Sequence, residues 1–154
     1  MVNYGSSKIR SFDVEGDCAA YVCRGVASTA ELADKTRKYA RGDSFLLLLD
    51  RKGVKLERLL PAYVNAVVRH RDRIARANSL GMEMLLLVSG DTNIKKAIDA
   101  CGARDGREFI VFSSDKSLIG KFLKENRLSV SERLELTFDF EAAGDIATME
   151  LFED

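Results

Sequence analysis

The spacing of apolar positions divides the chain into short strands alternating with helices. Lys8–Val14 and Cys18–Arg24 read as two strands, with Glu15-Gly16-Asp17 as a hairpin signal between them. Ser28-Thr-Ala-Glu31 is a capping box, in which the serine oxygen takes a free backbone N–H and the glutamate reaches back. It opens a helix to Arg41, with Leu32, Ala33 and Tyr39 on the apolar side and Gly42 as a left-handed cap. Phe45–Leu49 is continuously apolar and predicts a strand buried on both faces, with Asp50–Gly53 as the turn out of it. A long amphipathic helix pattern follows through Leu60 to Arg76, with Pro61 in its first turn, where no N–H partner is lost. Met82–Val88 is a second continuous run and predicts a second buried strand. Ile94, Ala97, Ile98 and Cys101 form the stripe of a helix capped by Asp91 or Thr92 and ended by Gly102. Then come a strand at Glu108–Phe112 and a helix from Ser114 or Asp115 to Asn126, with Leu118, Ile119, Phe122 and Leu123 inward. Arg133–Phe140 alternates as a half-exposed strand, and Glu141–Phe152 is a final helix with Ala142, Ile146 and Met149 on one stripe.

This order predicts a mixed α/β (α+β) fold: a single sheet of five to six strands, two of them buried apolar runs, covered by helices. At 154 residues the whole chain, 1–154, is expected to form one domain. It lacks an apolar run of membrane-spanning length and an apolar leader at its start, so no membrane association is expected. The three cysteines, Cys18, Cys23 and Cys101, are odd in number and form no CxxC pair, which suggests buried thiols in a reducing, cytoplasmic setting. One histidine without a ligand cluster supports no metal site, and no cofactor is expected.

The formal net charge of zero conceals an asymmetry. From Glu132 to Asp154 there are eight acids and one base, so the rest of the chain is basic. On a helical wheel Leu56, Leu60, Tyr63, Val64, Val67 and Ile74 share one arc, whereas Arg58, Asn65, Arg69, Arg73 and Arg76 share the opposite one. The polar face thus reads as a basic stripe, although arginines near a helix C-terminus also simply favour the macrodipole. Arg71 falls on the apolar side and must snorkel, pair or meet a partner. His70 borders that face, with no carboxylate or nucleophile placed beside it. The Gly90 turn lacks the glycine spacing and lysine of a phosphate loop, and Asp91 repels an anion there.

Leu59-Leu60, Ala62, Ala66, Ser79-Leu80, Glu83, Leu85, Ser89-Gly90, Ile94, Ala97-Ile98 and Gly102 form a pattern within a stretch that begins near Phe45 and is strongest from Leu59 to Gly102. On these residues the chain resembles the small kinase-binding subunit of the KEOPS (EKC) complex, TPRKB-like in eukaryotes, with a length that suits an archaeal-type member. Arg58 stands where members often have histidine before the Leu-Leu pair. The resemblance implies the TPRKB-like kinase-binding fold. It also implies a protein that is not an enzyme, binds the complex's small atypical kinase/ATPase, and helps bring the single-stranded 3′ end of tRNA to threonylcarbamoyladenosine modification. Within that reading the candidate RNA contacts are Arg58, Arg69, Arg71, Arg73, Arg76, Lys95 and Lys96, because guanidiniums pair phosphates in a bidentate way and stack under bases. Ile146, Met149 and Leu151 are candidate partner contacts, and a homodimer stays open. The alternative is a protein–protein module without RNA affinity, whose acidic end docks a basic partner.

Overall fold

The computed structural model describes residues 8–11 and 14–147. Among the described residues six strands are distributed over two sheets. β1 (Lys8–Ser11) and β2 (Val14–Asp17) form an antiparallel hairpin of their own. β3 (Ala19–Cys23), β4 (Leu46–Asp50), β5 (Phe109–Ser113) and β6 (Val130–Arg133) form one antiparallel sheet in the order β4-β5-β3-β6. The α-helices among the described residues are α1 (Thr29–Thr36), α2 (Leu59–Arg71), α3 (Leu80–Ser89), α4 (Ile94–Cys101), α5 (Lys116–Glu125) and α6 (Phe140–Ala147). The mixed α/β class therefore holds, with a four-stranded sheet in place of the single sheet of five to six strands.

Period-two side-chain direction splits the sheet between two cores. Ala20, Val22, Leu47, Leu49, Ile110 and Phe112 face α2, α3 and α6, while Ala19, Cys23, Leu46, Leu48, Phe109 and Val111 face α1 and α5. β4 is accordingly buried along its length, as a continuous run predicts. Ile119 and Phe122 of α5 fill the second core, where the Tyr39 ring meets Phe122 edge-on at 5.3 Å.

The run Met82–Val88 is a helix, not a strand. Ser79 Oγ accepts the Met82 N–H at 3.2 Å, and Gly90, at φ +80°, closes the other end through its N–H to Leu86 O. Met and Leu, which carry no branch at Cβ, favour that choice, and the largely apolar helix is stable because α3 lies between α2 and α4 over the sheet. Continuous apolarity does not separate the two structures; the distance between the two caps does.

Other boundaries shift for identifiable reasons. Ser28 caps α1 as expected, but the helix tightens into a 3₁₀ turn at Arg37–Tyr39, and Ala33 is exposed. Asn93, rather than Asp91 or Thr92, caps α4 through its Oδ1 to Lys96 N at 3.2 Å. Asp115 caps α5. Glu15-Gly16-Asp17 lie within β2, so the hairpin reverses before them. Leu134, Leu136 and Phe138 are buried between exposed Glu135 and Thr137, yet the segment past Arg133 is not a strand. Its alternation comes from extended backbone leaning one side on the first core.

Candidate nucleic-acid interface

α2 stops at Arg71, five residues short of the expected Arg76. The end is a Schellman motif: Arg73 N donates to His70 O at 3.2 Å and Ile74 N to Arg69 O at 2.9 Å. The left-handed position at its centre is Arg73, with φ +60°, where glycine is usual. α5 ends in the same way, with Arg127 at φ +52°. Ile74 lies beyond the helix and is 53% exposed rather than on the core arc.

The seven cations do not form one stripe. Arg69 is 5% exposed and belongs to the interior. Its Nη1 lies 3.7 Å from Glu83 Oε2, close enough for charge pairing but too long for a hydrogen bond, and its Nη2 donates to Ile146 O at 3.1 Å. The polar arc of α2 is buried here because α6 packs against it. Arg58 is half-buried and also turned to the protein: Nε donates to Val88 O at 3.0 Å and Nη2 to Leu87 O at 2.7 Å. It satisfies carbonyls left open at the C-terminus of α3, where a positive charge is also favoured.

Arg71, Arg73 and Arg76 are exposed together on the turn that leads from α2 into α3, and Asp72 is exposed among them. Lys95 and Lys96 are exposed on α4, past the far end of α3. The ten residues of α3, about 15 Å of helix, lie between the two groups along the chain. The structure thus retains an arginine turn at one end and a lysine pair at the other.

Pattern reading missed two features. Glu83 is fully buried, and its Oε1 accepts from Arg76 N at 2.9 Å and Ala77 N at 2.8 Å. A lone glutamate in an apolar run marks a buried polar contact, but does not reveal its partner. Ile94 and Ile98, placed on the inward stripe, are 40% and 48% exposed, while the smaller Ala97 and Cys101 pack inward. Small residues allow α4 to approach closely, which turns the larger isoleucines outward. Among the partner candidates, Ile146 is a core residue at 0% exposure and not a surface contact; Met149 and Leu151 lie outside the described residues.

Burial pushes the thiol pKa of Cys18 well above its ordinary value, that of Cys23 to about 11, and that of Cys101 upward, so these sulfurs stay protonated and poorly nucleophilic. Asp50 is spent on an ion pair with Arg107 at 3.1 Å. Among the described residues no group of three or more His, Cys, Asp or Glu side chains is placed to hold a metal ion, and no helix is long and apolar enough to cross a membrane. In comparisons with protein-family models and with curated proteins, the chain matched none.

Proposed function

We propose that this chain is a non-catalytic accessory subunit of the KEOPS type, with the TPRKB-like fold, that binds the complex's small atypical kinase and helps recruit the single-stranded 3′ end of tRNA. The observation that carries the reading is the division of the α2–α3–α4 unit into two exposed ends of different chemistry. Most of the residues behind the resemblance have internal roles: Leu59, Leu60, Ala62, Ala66, Leu85 and Ala97 are core, Ser79 and Gly90 are caps, and Glu83 is buried. A Cβ on Gly102 would meet Ile98 O at 2.6 Å. Ile94 and Ile98 have no such role and present an apolar patch beside Lys95, which fits a protein partner. The arginine turn at the other end fits phosphates. An adaptor needs two such faces that do not overlap.

The inward turn of Arg58 and Arg69 favours the second reading, a protein–protein module without RNA affinity, because it leaves fewer cations for phosphate. Exposed Glu135, Glu141 and Asp145 would then meet a basic partner. Co-purification with the cognate kinase, followed by a tRNA gel shift with and without the 3′ tail, separates the two. Kinase capture together with a tail-dependent shift supports the first reading. Capture with no shift supports the second, and failure of capture sinks both.

A further inference from the structure

The turn between α2 and α3 is shaped from inside the protein. On its α2 side the Schellman motif fixes the backbone of Arg73 and Ile74. On its α3 side a single buried carboxylate oxygen, Glu83 Oε1, takes the N–H groups of Arg76 and Ala77 at 2.9 and 2.8 Å. The carboxylate charge is compensated by Arg69, 3.7 Å from Oε2. From the last residue of α2 to the Glu83 anchor, Arg71, Arg73 and Arg76 stand exposed, two and three residues apart, so their Cα atoms are separated by at most about 7 and 11 Å. With Asp72 as the one carboxylate among them, residues 71–76 keep a positive excess.

We propose that Glu83 is a positioning residue, which shapes residues 71–77 into one cationic turn that takes neighbouring phosphates of a single-stranded nucleic acid. This rests on the tRNA-recruiting reading and adds which residues form the phosphate face and what holds them in place. Of the seven candidate cations, three act together; Arg69 contributes only through Glu83, and Arg58 serves α3.

The test compares two double variants of the full chain. Both remove the buried ion pair, and they differ only in the acceptor offered to the turn. Arg69→Met with Glu83→Gln keeps a carbonyl oxygen for Arg76 N and Ala77 N; Arg69→Met with Glu83→Met removes it. The probe is a labelled single-stranded oligoribonucleotide of about eight nucleotides, titrated at several salt concentrations. The wild type should show a log–log salt slope near −2, from about 0.7 per phosphate contact. The Gln variant should bind within about twofold of it. The Met variant should bind roughly tenfold more weakly, with a slope smaller by at least about 0.7. Wild-type binding together with an unchanged affinity and slope in a folded Met variant would overturn the proposal alone. A wild type without salt-dependent binding would overturn the tRNA-recruiting reading as well. If the Met variant does not fold, hydrogen exchange on the wild type decides: protection of the Arg76 and Ala77 amides supports the proposal, and exchange as fast as in open chain contradicts it.

Discussion

Replacing Arg69 by methionine tests whether this residue is internal or a surface cation. Arg69 and Glu83 are 5% and 0% exposed, and Arg69 also donates to Ile146 O. The substitution leaves the Glu83 carboxylate buried without its cation and the end of α6 without a donor. Breaking a buried pair by removing one partner costs about 3–5 kcal/mol. A surface arginine of the expected stripe would cost within about 0.5 kcal/mol. The whole margin of such a protein is about 5–15 kcal/mol, so the difference is large. At roughly 2–4 °C per kcal/mol for a chain of this size, Arg69→Met should lower the midpoint of thermal unfolding by about 6–20 °C, followed by circular dichroism. Adding Glu83→Gln removes the orphaned charge while keeping its acceptor. The double variant should therefore be less destabilised than the sum of the singles, by about 0.5–3 kcal/mol. A shift of less than about 2 °C for Arg69→Met would refute the buried-pair account.

Three further outcomes follow from the same geometry. Arg73→Gly relieves a left-handed residue, so it should raise stability in urea unfolding by up to about 1 kcal/mol, while lowering RNA affinity and reducing the salt slope by about 0.7. Hydrogen bonds from the backbone and side chain of Thr29 hold the Asp105 carboxyl below its ordinary 3.8; that stability is present above 3.8 and is lost as pH falls through the lower folded value. Asp105→Asn should thus be less stable than the wild type at neutral pH and lose less on acidification, read from urea midpoints at both pH values. Ile94→Asp with Ile98→Asp should leave the unfolding midpoint within about 2 °C of wild type, because both side chains are substantially exposed, and abolish kinase co-purification.

The mixed α/β class and single elements were legible in the sequence where chemistry and length agreed. Phe45–Leu49 is too short for a helix and is bracketed by turns, and the Ser28 cap uses only its own neighbours. Met82–Val88 is ambiguous by apolarity alone, and it is Ser79 and Gly90 that mark the ends of a helix. The site was less legible, because a wheel shows one helix and not what packs on it. Arg69 sits on a polar arc that α6 covers, and Arg58 reaches carbonyls of α3, thirty residues away along the chain. The Arg73 reversal was hidden for a different reason: glycine would announce a left-handed cap, and arginine does not. What survives of the basic stripe is the part at and beyond the helix end, where Arg71, Arg73 and Arg76 are exposed on the turn.

The most direct test of the central claim is one gel-shift titration of intact tRNA and of tRNA trimmed at its 3′ end, made with the chain bound to its cognate kinase. The wild type should bind intact tRNA more tightly than trimmed tRNA. The variant carrying Arg71→Glu, Arg73→Glu and Arg76→Glu should lose that preference while still binding the kinase. Equal affinity of the wild type for both tRNAs, or an undiminished preference in the triple variant, would contradict the account.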